Sequence, residues 1–135
     1  MPRIMVEMLE GRTMEQKKKI ACDISAAVEE IYNIPKGGAA VRIAEVKFED
    51  FACGGELRCD TSAREGNPVY GRGLEPRITL NAIAGRSAES REKLASVITD
   101  KVSATLGVNK DDVKIFFMHQ PKENFAVGGI LVCDQ

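Results

Sequence analysis

The chain has 135 residues, with 19 Lys plus Arg against 20 Asp plus Glu and a formal net charge of -1. That length supports one compact domain or a pseudo-dimer of two small units, and the near-neutral charge argues against a general nucleic-acid binder. No run of about 18 apolar residues occurs, so no transmembrane helix is expected. No signal-peptide pattern precedes the first strand.

Ile4, Val6 and Met8 alternate with Met5 and Glu7, which predicts a strand with one face more apolar. Gly11-Arg12-Thr13 reads as a loop. Thr13 followed three residues on by Gln16 is a capping-box pattern. The helix it opens runs to about Tyr32, with Ile20, Ile24, Ala27, Val28 and Ile31 on one face. Pro35-Lys36-Gly37-Gly38 breaks the chain before a second strand over residues 41–46. Residues 51–55 form a turn leading into a short strand at 57–59. Residues 61–75 hold Gly66, Pro68, Gly71 and Gly73, which is linker chemistry, with Val69-Tyr70 able to pair briefly with the sheet. A third strand carries Ile78, Leu80 and Ala82. A second helix from about Ser87 carries Leu94, Ile98, Val102 and Thr105, stops at Gly107, and precedes a strand over 113–118.

This order occurs twice because the sequence does. Residues 2–61 lie over 76–135 at a constant offset of 74 without a gap. Roughly 19 of about 60 pairs are identical, far above chance. They include Pro2/Pro76, Gly11/Gly85, Arg12/Arg86, Phe51/Phe125 and Cys59/Cys133. The chain therefore divides into a first unit, 1–60, a linker, 61–75, and a second unit, 76–135. Each unit of about 60 residues is shorter than most stable domains, so the two are expected to pack on each other. A helix between two strands implies a right-handed parallel crossover. The expected fold is α+β in two layers: two tandem β-α-β units forming a four-stranded sheet with both helices on one face. The other face and the strand edges need cover, which favours oligomerisation.

The four cysteines, Cys22, Cys53, Cys59 and Cys133, fit no zinc spacing. Cys59 and Cys133 are read as buried thiols of a reducing cytoplasm. His119, the single histidine, reads as a structural or surface residue, because a metal site needs several convergent ligands. No metal or cofactor is expected.

Pro2 carries the chemistry. Initiator methionine is normally removed before proline, which leaves Pro2 as a free secondary amine. An α-amine titrates near about 7.7–8.0, and burial or nearby positive charge disfavours its protonated form. Such an amine suits proton shuttling at neutral pH. Pro76 is internal, so its nitrogen is an amide and cannot act as such a base. Arg12 lies close to a helix N-terminus and can hold a carboxylate in bidentate fashion; it also reads as a solvated loop arginine. A seven-residue strand spans roughly 23 Å, so Pro2 and Arg12 need not meet through the strand itself. Phe51 and Phe125, each before a Gly-Gly pair, read either as core or as an apolar wall that keeps water from a site.

Pro2, Leu9-Glu10-Gly11-Arg12-Thr13, Glu15-Gln16-Lys17, Pro35, Glu45 and Phe51 with Gly54-Gly55-Glu56 together resemble the tautomerase superfamily. The closest likeness is to 4-oxalocrotonate tautomerase in a fused, two-copy form. Gly85-Arg86-Ser87 and the Phe125 tail extend the resemblance to the second unit. It implies that Pro2 is a general base for enol–keto conversion of 2-hydroxymuconate-like dienols or other 2-hydroxy-alkenoates. It implies a cofactor-independent, cytoplasmic homotrimer acting on a small anionic acid. By the same resemblance Arg12 binds a substrate carboxylate, Arg86 is a second anchor, Phe125 walls the Pro2 site and Phe51 lines the equivalent place near Pro76. The second family arginine aligns with Ala40 in one unit and Lys114 in the other, so Lys114 or Arg42 of a neighbouring chain is expected to supply that charge. Related reactions on the same base remain open: dehalogenation by hydration, decarboxylation, or a non-catalytic oligomeric binding module. Cys53 stands where the dehalogenases carry a glutamate, and Gly37-Gly38 where the decarboxylase is acidic.

Overall fold

The computed structural model describes residues 2–60 and 76–135; the expected linker, with Val69-Tyr70, and Met1 lie outside them. In the first unit β1 (Arg3–Leu9) leads to α1 (Met14–Ile31) and β2 (Ala40–Val46). A small hairpin follows, β3 (Ala52–Cys53) with β4 (Glu56–Leu57). The second unit repeats the order with β5 (Arg77–Ile83), α2 (Ala88–Leu106), β6 (Lys114–Gln120) and the hairpin β7 (Ala126–Val127) with β8 (Ile130–Leu131). The main sheet runs β2-β1-β5-β6. Strands are parallel within each unit and antiparallel where β1 meets β5.

Strand alternation decides the layers. Ile4, Val6 and Met8 of β1 and Ile78, Leu80 and Ala82 of β5 point into one core with Ile20, Ile24 and Val28 of α1 and Leu94, Ile98 and Val102 of α2. Each fully buried Ile, Leu or Val stabilises the fold by about 1.5–3 kcal/mol. Both helices therefore cover one face. The other face presents Phe116 and Met118, each 46% exposed.

Local signals set the helix ends. Thr13 and Gln16 close the capping box, so two amides of the first turn are satisfied. Ser87 caps α2 alone, accepting from Ser90. Gly107 ends α2 at φ 68, the left-handed region that glycine adopts without strain. Gly11 and Gly85 sit at φ 106 and 122, where a Cβ is disfavoured; they turn the chain between strand and helix and fix where Arg12 and Arg86 begin.

Two expectations need correction. The short strand at 57–59 is instead β4 followed by a 3-10 turn at Arg58–Asp60. The thiols are not buried: Cys59 is half-exposed and Cys133 exposed, because both lie in turns beyond the hairpins.

Candidate functional site

Pro2 is buried at the start of β1, and its carbonyl accepts from the Ala40 amide at 3.1 Å. Pro76 is buried at the start of β5, and its carbonyl accepts from the Lys114 amide at 3.1 Å. The antiparallel pairing of β1 and β5 sends these prolines to opposite ends of the sheet.

Each end is finished by the other unit. β5 ends at Ile83 beside the start of β1, so the loop carrying Arg86 belongs to the Pro2 end. A cavity of about 260 Å³ there is lined by Arg3, Asn81, Gln120, Asn124 and Phe125 among others. β1 ends at Leu9 beside the start of β5, so Arg12 belongs to the Pro76 end. The cavity there, about 430 Å³, includes Glu7, Asp50, Phe51, Pro76, Arg77 and Lys114 in its lining. Within one chain the topology thus places Pro2, Arg86 and Phe125 at one end of the sheet, with Phe125 in the cavity's lining and Pro2 and Arg86 outside it, and Pro76, Phe51 and Lys114 in the lining at the other end, where Arg12 lies outside it. Arg12 and Pro2 stand at opposite ends of β1 and are not brought together. Arg42 lies on the uncovered sheet face opposite Met5, in a groove of about 380 Å³ shared with Arg3.

The two loop arginines perform the same structural task in mirror fashion. Arg12 Nη1 donates to the Leu106 carbonyl at 3.2 Å, and Arg86 Nη1 donates to the Tyr32 carbonyl at 2.6 Å. Leu106 is the last residue of α2 and Tyr32 caps α1. Each guanidinium therefore crosses to the other unit's helix and meets the negative end of its dipole. Leu106 and Tyr32 are themselves equivalent under the offset of 74.

The second half adds a network the first lacks. The Arg86 guanidinium lies 4.5 Å from the centre of the buried Tyr32 ring. Arg91 Nη1 reaches the Arg86 carbonyl at 3.1 Å and His119 Nδ1 at 3.3 Å. Arginine only donates, so Nδ1 accepts and the neutral imidazole carries its proton on Nε2. That proton faces the Tyr32 hydroxyl at 3.5 Å. Burial, then Arg91 and Arg86, hold His119 below its usual imidazole value. Burial raises the Tyr32 phenol, opposed by Arg86 and Arg91. In the first half the corresponding positions hold an ion pair, Lys17 with Glu45. Reading single residues misses Tyr32, Arg91 and His119 as a network; comparing residue types across the repeat finds them, because Glu45/His119 loses a charge, Lys17/Arg91 exchanges an ammonium for a guanidinium and Tyr32/Leu106 differs by a ring. Among the described residues no group of His, Cys, Asp and Glu could hold a metal ion, and no helix is long and apolar enough to cross a membrane.

Comparison with known proteins follows this duplicated plan. A probable tautomerase of Bacillus cereus is 43% identical over 60 residues, covering 44% of this chain and 98% of its own length. One of Staphylococcus epidermidis is 33% identical over 60 residues, with the same 44% and 98% coverage. A native fused 4-OT structure superposes with a TM-score of 0.80 at 19% identity, covering 98% of this chain and 97% of that one. A member of the cis-3-chloroacrylic acid dehalogenase family matches with a TM-score of 0.70 at 20% identity, covering 96% and 82%. These two likenesses establish the shared fold. The profile of the tautomerase enzyme family matches residues 2–59 and again 76–135, and the chain belongs to that family, with two of its units in one polypeptide.

Proposed function

We propose that this protein is an enol–keto tautomerase with one working site per chain, at the Pro2 end. The observation that carries the reading is the grouping of Pro2 with Arg86 and Phe125 at one end of the sheet, in a chain of the tautomerase family. With Met1 removed, the neutral Pro2 amine takes the proton of a 2-hydroxyl group. The O–H electron pair becomes part of the new carbonyl, the conjugated π electrons shift along the chain, and the ammonium returns the proton to carbon. The amine is regenerated, so no other reactant is consumed.

Arg86 anchors the substrate carboxylate in this scheme, while Arg12 at the far end serves as a cap of α2. Phe125 forms the apolar wall beside the base, and Phe51 is its counterpart near Pro76. The substrates are 2-hydroxymuconate-like dienols or other 2-hydroxy-alkenoates. The protein acts as a homotrimer, which covers the uncovered face carrying Phe116 and Met118. A neighbouring copy then supplies the second cation, Arg42 or Lys114, that Ala40 does not provide. The likeness to a dehalogenase relative favours no hydration step here, because neither Cys53 nor its counterpart Val127, two residues after Phe125, offers a carboxylate to activate water.

The test is the intact mass together with ketonisation of 2-hydroxymuconate and phenylenolpyruvate by the same preparation. A mass lacking Met1 with saturable turnover supports the reading. A processed chain inert on both enols contradicts it.

A further inference from the structure

The cavities at the two ends use the same repeat positions but not the same charges. Arg77, Glu7, Asp50 and Phe51 of the Pro76 cavity correspond, at the offset of 74, to Arg3, Asn81, Asn124 and Phe125 of the Pro2 cavity. The arginine and the aromatic wall are kept. Both carboxylates are replaced by amides. In the sheet Glu7 stands directly opposite Arg77, whereas Asn81 stands opposite Arg3. Lys114 lines only the Pro76 cavity, so the lining there carries two cations and two carboxylates and no net charge. Arg3 has no carboxylate among the described residues lining its cavity. The carboxylates both halves retain, Glu15/Glu89, Glu49/Glu123 and Asp60/Asp134, line neither. A carboxylate is likewise missing from the Arg86 network, where neutral His119 replaces Glu45 beside Arg91.

We propose that Asn124 and Asn81 are specificity-determining residues of the Pro2 site, selecting anions by holding amides where the repeat otherwise places carboxylates. This rests on the reading that the Pro2 end is the working end. A carboxylate at these positions repels an incoming carboxylate and cancels the arginine charge. An amide of the same size leaves that charge standing and offers N–H donors to substrate oxygens. The Pro76 cavity, which has no base, keeps its carboxylates.

The test uses muconate, a dicarboxylate without an enol hydroxyl that cannot be tautomerised, and sorbate, its monocarboxylate counterpart. Binding to the full chain is measured by calorimetry. Asn124→Asp keeps the side-chain shape and adds one negative charge. It is expected to weaken muconate about tenfold and sorbate about threefold, with both losses shrinking as sodium chloride is raised. The mirror variant Asp50→Asn is expected to leave muconate affinity within about twofold. Asn81→Asp, on a separate element, carries the same expectation as Asn124→Asp and gives a second reading if that variant folds poorly. Unchanged binding in both Asn124→Asp and Asn81→Asp, equal losses for both probes that persist at high salt, or no muconate binding by the wild-type chain would overturn the proposal. Turnover through Pro2 with indifferent Asn124→Asp sinks this inference alone. A charge-dependent response in a chain that converts no enol sinks the tautomerase reading alone.

Discussion

Arg86 and Tyr32 are joined twice: the guanidinium donates to the Tyr32 carbonyl at 2.6 Å and lies 4.5 Å from the centre of its ring. The equivalent pair, Arg12 and Leu106, shares only the carbonyl contact, because leucine has no ring. Duplication supplied two arginine caps, and one of them gained a rigid aromatic support at the end that holds Pro2.

This difference separates two arginine variants. Arg86→Ala and Arg12→Ala should each lower stability by about 1 kcal/mol, since each removes a charged cap of a helix C-terminus. Only Arg86→Ala should depress kcat/KM for an anionic enol, by roughly a hundredfold, or about 2.7 kcal/mol. Urea denaturation and steady-state kinetics on both proteins check the pair of expectations.

Tyr32→Leu makes the second network resemble the first. It keeps the backbone cap but removes the ring beneath Arg86, a contact of about 0.5–2 kcal/mol. KM should rise severalfold while kcat changes little. Tyr32→Phe, which keeps the ring, should restore KM, and that rescue distinguishes support of Arg86 from general packing.

The imidazole gives a pH dependence of known sign. His119 has a lowered folded-state pKa, so the folded chain binds fewer protons than the unfolded one as pH falls. Its stabilising contribution is complete above the unfolded value of about 6.5 and is lost as pH drops through the folded value. Melting temperature should therefore fall between about pH 7.5 and about pH 5.5 by less in His119→Gln than in wild type. The protonated imidazole also confronts Arg91, which faces Nδ1 at 3.3 Å, so the network should loosen over the same window.

The uncovered face yields a solution measurement. Phe116 and Met118 on β6, with Val127 and Ile130 of the last hairpin 54% and 55% exposed, should be buried between copies. Light scattering should give three times the chain mass. Phe116→Glu should shift the protein towards the single-chain mass and lower turnover with it, as the proposal of a cation from a neighbouring chain requires.

Much of this fold was legible because its signals are local. Ile4, Val6 and Met8 declared a strand, Thr13 with Gln16 a helix start, and Gly107 a helix stop, and each stands in the structure. The hairpin strands were not legible as such: β3 and β4 have two residues each, too few to show a period. Arg86 was named from the resemblance alone, beside Arg12, and which of the two stands at the Pro2 end was not legible in local signals. Arg12 is close to Pro2 in sequence, but the antiparallel junction of β1 with β5 carries Arg86 to that end. Likewise Tyr32 and His119 lie 87 positions apart, and only the packed units bring them together. The charge differences between the halves were in the sequence, but they acquire meaning only once Asn124 and Asp50 are seen to occupy matching cavities.

The most direct test of the central claim compares Pro2→Ala with Pro76→Ala in enol ketonisation, with intact mass recorded for each protein. The account expects Pro2→Ala to lose nearly all turnover while Pro76→Ala keeps most of it, at the same oligomeric mass. Equal losses in the two variants, or full activity in Pro2→Ala, would contradict a single terminal base.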